Sequence, residues 1–97
     1  MIVSFATAGT EDMFNGMNTK AARRTCPQSL WRAVTRKLDQ LDSVVALVEL
    51  RVPPGNRLEA LRGARLGQNS IRINDRYRVC FVWTEAGPSA VEIVDYH

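Results

Sequence analysis

Apolar residues in the middle of the chain recur at intervals of three and four positions. Four of them share one stripe: Leu30, Val34, Leu38 and Leu41. This spacing places their side chains on one face of a helix, while the charged residues between them lie on the other face. Pro27 suits the first helical turn, where the missing backbone N–H needs no partner. The pattern therefore predicts an amphipathic helix over residues 27–41, with its apolar stripe in the core.

Weaker patterns surround this helix. They predict three segments before it: a strand over residues 2–5, a short helix over 8–17 that ends at Gly16, and a polar loop over 18–24. The segment after it allows two interpretations. Ser43 could cap a short second helix that runs through Leu47, and the apolar run at 44–48 would also suit a strand.

The pattern changes after residues 53–56, which read Pro-Pro-Gly-Asn and break the chain. Beyond this point apolar and polar residues alternate, which is typical of half-buried strands. The alternation predicts strands over 57–61, 70–73, 77–83 and 90–94, a basic loop between Gly63 and Gly67, and turns at 74–76 and 85–88. One face of the third strand carries Tyr77, Val79, Phe81 and Trp83.

The order of these elements predicts an α+β fold. A strand comes first, helices follow, and an antiparallel meander of three or four strands ends the chain. Such helices pack together on one face of the sheet. We therefore expect two to three helices on a mostly antiparallel sheet of about four to five strands. The 97 residues suit one domain over residues 1–97.

The positive charge of the chain is concentrated in its second half. Residues 51–78 carry a net charge of +5, whereas the rest of the chain carries −2, and 11 of the 13 basic residues are arginine. Arginine suits bidentate phosphate contacts and stacking on bases. This predicts a polyanionic partner, most plausibly a nucleic acid, although an ordinary solvated basic face is the alternative. Four arginines are candidate contacts for such a nucleic acid: Arg57, Arg65, Arg72 and Arg76.

Several classes of protein fit the sequence poorly. Cys26 and Cys80 form no CxxC pair and His97 is the single histidine, so we expect no metal site, no cofactor, and two buried free thiols. The N-terminus has no basic segment followed by a long apolar run, so we expect neither a signal peptide nor a membrane span. These features favour a cytoplasmic protein.

Three blocks of the sequence resemble a known family. They are residues 53–63 (PPGNRLEALRG), 67–81 (GQNSIRINDRYRVCF) and 91–97 (VEIVDYH). In this order and spacing they resemble HigB-type toxins of the RelE/ParE superfamily. The resemblance implies the compact RelE-like fold, ribosome-dependent cleavage of mRNA without a metal, and growth inhibition. It also implies a cognate helix-turn-helix antitoxin of the HigA type, through which alone operator DNA would be bound.

The resemblance also implies a set of site residues. Arg78 matches the strand arginine of the family's active site, and we expect it to stabilise charge on the phosphorane. Arg62 stands where the family commonly has lysine and would hold a neighbouring phosphate. Asp95, Tyr96 and His97 would supply an acid, a base or a stacking ring. Some members carry a histidine where this chain has Glu59, so the sequence predicts catalysis without that histidine.

Two other functions remain open at this point. A ParE-like toxin shares the fold but inhibits DNA gyrase by binding and is not a nuclease. A non-catalytic module would bind only RNA or its antitoxin. The combination of Arg78 with the Asp95–His97 ending favours the nuclease over both.

Overall fold

The computed structural model describes residues 1–96 and shows three α-helices followed by four β-strands. The helices are α1 Ala8–Phe14, α2 Lys20–Thr25 and α3 Trp31–Ser43, and the strands are β1 Glu59–Ala60, β2 Asn69–Arg72, β3 Tyr77–Thr84 and β4 Gly87–Asp95. The strands form one antiparallel sheet in the order β1-β2-β3-β4. The predicted α+β meander is thereby confirmed.

Helix α3 is the element that the spacing of apolar residues predicted. Its stripe is buried as expected, because Val34, Leu38 and Leu41 are all 0% exposed. The helix ends at Ser43 and is preceded by a single 3-10 turn over Gln28–Leu30. The helical stretch therefore begins next to Pro27 and extends two residues beyond the predicted end.

The loop predicted over residues 18–24 is wrong, because α2 lies there. The Thr19 hydroxyl caps this helix by accepting a hydrogen bond of 3.1 Å from the Ala22 amide. Ala22 is the one residue of α2 that is fully buried. A helix with a single buried residue has no apolar period, so the pattern could not reveal it.

Two other segments differ from their predictions. Residues 44–48 form neither the short helix from Ser43 nor a strand, since the chain instead makes a 3-10 turn over Leu47–Arg51. The predicted opening strand at 2–5 runs alongside β4 in parallel, with one ladder bridge between Phe5 and Val91. The amide of Val3 also donates to the Pro88 carbonyl at 2.7 Å.

The two faces of the sheet have different environments. Ile71, Val79 and Ile93 lie side by side across β2, β3 and β4 and belong to the core under the helices. Tyr77 and Phe81 are buried on this face as predicted, and Trp83 is partly buried. Residues between these positions point to the opposite face. That open face carries the candidate site.

Within residues 1–96, no helix is both long enough and apolar enough to cross a bilayer.

Candidate functional site

A cleft of about 540 Å³ lies on the open face of the sheet. It is lined by the segment 57–65, by β2 and β3, by the turn between them, and by Tyr96. Its lining includes five of the arginines that the sequence singled out: Arg57, Arg62, Arg65, Arg72 and Arg78. The fold thus gathers most of the predicted basic residues around one cavity.

Arg78 is held firmly at this cleft. It lies opposite Arg72 on β2 and Val94 on β4, so strand alternation directs it to the open face. Its Nε donates to the Ser70 hydroxyl and its Nη2 donates to the Arg57 carbonyl, each at 2.8 Å. Only 16% of the side chain is exposed. Among the described residues its Nη1 has no hydrogen-bond acceptor, so this donor can meet a ligand.

The Arg57 carbonyl is in place because the preceding residue anchors the loop. Asn56 is fully buried, and its amide nitrogen donates to the Leu50 carbonyl at 3.1 Å and to the Gln40 side chain at 3.0 Å. Its Oδ1 accepts from the Lys37 ammonium. Arg57 then adopts the left-handed conformation, with φ 46° and ψ 55°. This turn directs its carbonyl toward Arg78.

Tyr96 lines the cleft next to Arg78. The Arg78 guanidinium carbon is 5.9 Å from the centre of the Tyr96 ring, which is within the range of a cation–π contact. The phenol oxygen is 3.9 Å from the Cys80 sulfur. Burial and the neighbouring Cys80 raise the pKa of the Tyr96 phenol. The phenol therefore keeps its proton at neutral pH and can donate a hydrogen bond.

The remaining arginines of the cleft differ in how they are held. Arg65 forms an ion pair of 2.9 Å with Glu92, and this hydrogen bond raises the pKa of its guanidinium. Arg72 pairs with Asp75. Arg57 and Arg62 have exposed side chains. The exposed pair is thus better placed to meet an incoming anion than the two arginines already matched by carboxylates.

Among the described residues, two predicted site residues are not brought to the cleft lining. Arg76 and Asp95 form a bidentate pair, with contacts of 2.8 and 3.0 Å. Asp95 is the sheet partner of Tyr77, whose side chain belongs to the core face, so its register sets it opposite to Arg78. The backbone amide of Tyr96 donates to the Arg76 carbonyl at 2.7 Å, so this pair anchors the end of β4. His97 lies outside the described residues.

The structure adds two residues that the sequence analysis did not place in the site. Ser70 is fully buried and supports Arg78. Strand alternation, which puts residues 70, 72 and 78 on one face, was the signal that could have found it. Glu59 lines the cleft, and its Oε2 is 3.7 Å from Arg78 Nη2. The sequence analysis noted it only as a position that is histidine in some similar toxins.

The described part of the chain contains no group of three His, Cys, Asp or Glu side chains arranged to hold a metal ion. Cys26 and Cys80 are both buried thiols. Burial raises the pKa of the Cys80 thiol, so it remains a neutral group beside the Tyr96 phenol. Among the described residues, the groups of the cleft lining that can take part in chemistry are guanidinium, carboxylate and phenol.

Comparison with known proteins agrees with the geometry. Residues 4–97 match the family described as RelE-like toxin of type II toxin-antitoxin system HigB. The chain is 47% identical over 62 residues to Toxin HigB-1 of Vibrio cholerae, and 36% identical over 55 residues to an uncharacterized protein of Haemophilus influenzae. These alignments cover 64% and 57% of the chain and 65% and 54% of the two relatives, less than two thirds of either. The family match spans almost the whole chain, which therefore belongs to the HigB-like, RelE-type toxins of type II toxin–antitoxin systems.

Proposed function

We propose that this toxin is a ribosome-dependent mRNA endoribonuclease that inhibits translation and growth. The observation that carries the proposal is the Arg78 guanidinium, which two acceptors fix in a cleft lined by arginines. A fixed cation in such a cleft suits a phosphodiester whose negative charge increases during the reaction. The toxin family supports the same conclusion.

The reaction uses the RNA's own 2′-hydroxyl as the nucleophile. Its oxygen attacks the adjacent phosphorus, and the bond from phosphorus to the 5′-oxygen breaks. Arg78 donates through its remaining N–H groups to the non-bridging oxygens, where charge accumulates. Because Ser70 and Arg57 already orient the guanidinium, little reorganisation is needed as the transition state forms. No metal ion takes part in this scheme.

RNA binding is shared among the other side chains of the cleft. Arg62 and Arg57 are exposed at its rim and hold neighbouring phosphates. Arg72 can contribute a further contact at the β2–β3 turn. Tyr96 offers its ring for stacking on a splayed base and its phenol as a proton donor. Arg65, which is paired with Glu92, supports the wall of the cleft more than it binds RNA.

The end of the chain contributes in two ways. Asp95 and Arg76 hold each other on the far side of β4, and this pair fixes the position of Tyr96. His97 follows directly in the sequence and is the one side chain with an ordinary pKa near neutrality. We assign it a role in proton transfer to or from the RNA. Its removal should slow cleavage by about 100-fold or more.

The proposal includes the partners of a type II toxin. A cognate HigA-like, helix-turn-helix antitoxin neutralises the protein and is its only link to operator DNA. The ribosome presents the mRNA, which places the activity in the cytoplasm. The basic surface around the cleft supplies the attraction to ribosomal and messenger phosphates.

The test is the replacement of Arg78 by alanine. Loss of one such donor slows a reaction by about 100-fold to 1000-fold, so Arg78→Ala should abolish growth inhibition. The measurement is single-turnover cleavage of a message bound to ribosomes, with mRNA 5′ ends mapped in cells after brief induction. Arg32→Ala, an exposed change on α3, is the matched control.

Three results would contradict the proposal. A folded Arg78→Ala protein that retains full toxicity would remove Arg78 from the mechanism. Uniform cutting of untranslated RNA would remove the ribosome from it. Accumulation of gyrase–DNA cleavage complexes, with messages left intact, would place the protein with the ParE-like gyrase inhibitors instead.

A further inference from the structure

A network of polar side chains connects helix α3 to the loop before β1. Lys37 and Gln40 lie about one helical turn apart on α3, and both reach the fully buried Asn56. The Lys37 ammonium donates to Asn56 Oδ1, whereas Asn56 Nδ2 donates to Gln40 Oε1 at 3.0 Å and to the Leu50 carbonyl at 3.1 Å. Both polar atoms of the buried amide therefore have partners, and the partner of the oxygen is Lys37.

The two sides of this network fix the direction of the Asn56 amide. A lysine ammonium can only donate hydrogen bonds, and a backbone carbonyl can only accept them. Lys37 must therefore face the amide oxygen, and the Leu50 carbonyl must face the amide nitrogen. Burial and the neighbouring Arg36 lower the pKa of Lys37, so its surroundings differ from those of a solvated lysine. The hydrogen bond to Asn56 favours the charged form against these two effects.

The residue after Asn56 carries this constraint into the cleft. Arg57 has φ 46° and ψ 55°, a left-handed conformation that residues with a side chain keep only where their surroundings hold them in it. In this conformation its carbonyl accepts from Nη2 of Arg78 at 2.8 Å. The network ends on the adjacent residue of the chain, so its loss removes part of what holds this carbonyl in place.

Lys37 itself lies away from the cleft. Among the described residues, the cleft lining contains none from α3. Lys37 instead borders a separate surface cavity of about 340 Å³, together with Arg36, Gln40 and Pro53. A substitution at Lys37 therefore leaves the chemical groups of the cleft unchanged. Its effect on the rate of cleavage by bound toxin must then pass through the protein.

We propose that Lys37 is a positioning residue of the cleavage reaction, an inference that rests on the proposed function: through Asn56 it holds the loop carbonyl that orients Arg78. Two acceptors direct that guanidinium, the Ser70 hydroxyl and the Arg57 carbonyl. Sheet register places the first, and the network from α3 places the second. A displacement of about 1 Å at a reacting centre can slow catalysis by about 100-fold, so a small movement of the loop is enough to affect the rate.

The experiment compares Lys37→Met with the wild type on ribosomes carrying a defined message. Methionine is unbranched like lysine but cannot donate to Asn56. We expect single-turnover cleavage at saturating toxin to slow by about 10-fold to 100-fold. Arg36→Met is the matched control, because it removes the neighbouring exposed cation and leaves the network intact. It should cleave at the wild-type rate, and its affinity for a message with a 2′-deoxy cut site should equal that of Lys37→Met.

The NMR signal of the Arg78 Nε–H provides a readout that a loss of stability alone does not move. In folded Lys37→Met this signal should shift, because the guanidinium reorients when Nη2 loses its acceptor. Val34→Ala, which opens a cavity in the buried stripe of the same helix, is the control for stability. It lowers the free energy of unfolding but should leave both the signal and the rate as in the wild type.

A second variant keeps the test decisive if Lys37→Met does not fold. Gln40→Met removes one acceptor of Asn56 Nδ2 and leaves the other, the Leu50 carbonyl. This milder change should shift the Arg78 signal and slow cleavage in the same direction, by a smaller factor. A wild-type signal and rate in Gln40→Met would then overturn the inference.

The outcomes separate this inference from the proposed function. A wild-type protein that cuts no message on ribosomes overturns the proposed function and this inference with it. An active wild type, with Lys37→Met equal to it in rate and in the Arg78 signal, overturns the inference alone. Slower cleavage that a lower affinity accounts for would make Lys37 a binding residue. Slower cleavage that Val34→Ala reproduces would make its role purely structural, and either result also overturns the inference.

Discussion

The orientation of Arg78 depends on one buried hydroxyl. Ser70 is 0% exposed, and its oxygen accepts from Arg78 Nε at 2.8 Å. A buried donor that loses its acceptor costs more than the net value of the bond, because it also loses contact with water. Ser70 therefore supports both the stability of the sheet and the direction in which the guanidinium points.

Replacement of Ser70 by alanine tests this role. The unsatisfied Nε should lower the free energy of unfolding by about 1–3 kcal/mol, and cleavage should slow by about tenfold, which corresponds to about 1.4 kcal/mol in the barrier. Ser70→Thr keeps the hydroxyl and should recover part of the rate. The measurements are denaturant unfolding, single-turnover cleavage, and the NMR signal of the Arg78 Nε–H. A variant with that signal unmoved and cleavage intact would show that Ser70 does not position Arg78.

The sequence could predict side chains of the site only where alternation and resemblance agreed. Arg78 and Arg62 reach the cleft, as does Tyr96. Asp95 does not, because the pairing of β4 with β3 sets it beside Tyr77. That register depends on a bulge between Cys80 and Val82, which no local pattern reveals. Glu59 was not predicted to reach Arg78, because their contact joins β1 to β3 and depends on the pairing of the strands.

The β2–β3 hairpin is the element that brings the arginines of the two strands together. The turn at 74–76 was predicted, and the structure shows what stabilises it. The Asn74 side-chain oxygen accepts from the amides of Arg76 at 2.9 Å and Tyr77 at 2.7 Å. Asparagine suits such turns because its short side chain can bond the backbone two and three residues ahead. The turn fixes the register in which Arg72 faces Arg78.

Removal of the Asn74 side chain should weaken this hairpin. Asn74→Ala loses two hydrogen bonds of about 1 kcal/mol each, so the free energy of unfolding should fall by about 2 kcal/mol. For a chain of this length that lowers Tm by roughly 8–16 °C. Asn74→Asp retains the acceptor oxygen and should recover most of the loss. Equal Tm values for the alanine variant and the wild type in calorimetry would show that the strands alone set the register.

The elements that the sequence missed share a physical cause. Helix α2 and the turn over Leu47–Arg51 each bury one residue, so tertiary contacts and caps, not periodicity, determine them. Strand β1 was predicted over five residues and has two. The chain before it is held by the hydrogen bonds of the buried Asn56, and the chain after it forms the 3-10 turn Gly63–Arg65, so neither segment can extend the strand. Helix α3 and strand β3, with regular patterns, were predicted well, whereas β4 begins at Gly87, inside the predicted turn at 85–88.

In the molecule as a whole, the core and the candidate site lie on opposite faces of the sheet. Helices and the apolar side of the sheet form the core, and the opposite side carries the cleft. The segment 51–78, with its net charge of +5, supplies nearly all of the cleft lining; Tyr96 is the exception. The excess positive charge therefore lies on the open face of the sheet, away from the core. The sequence predicted this charge but not its convergence, because convergence requires the sheet register.

This arrangement predicts how binding to a ribosome-bound message depends on salt. Within residues 1–96, three cleft arginines have no close carboxylate partner: Arg57, Arg62 and Arg78, whose contact with Glu59 is long. Three contacts with single-stranded phosphates give a slope of about −2 for log affinity against log salt. Affinity should thus fall by about 20-fold between about 50 and 200 mM salt. Filter binding to a message with a 2′-deoxy cut site, which cannot be cleaved, measures this slope at constant magnesium.

The contribution of a single arginine can be separated from the background of the ribosome. Arg62→Ala removes one contact at the rim and should make the slope shallower by about 0.7, with affinity lower across messages of different sequence. Arg65→Ala should change the slope less, because Glu92 already holds that guanidinium at 2.9 Å. Arg32→Ala on α3, outside the cleft, should leave the slope as in the wild type. Affinity that stays flat over this range of salt, or equal slopes for Arg62→Ala and the wild type, would mean that the cleft does not bind the phosphate backbone.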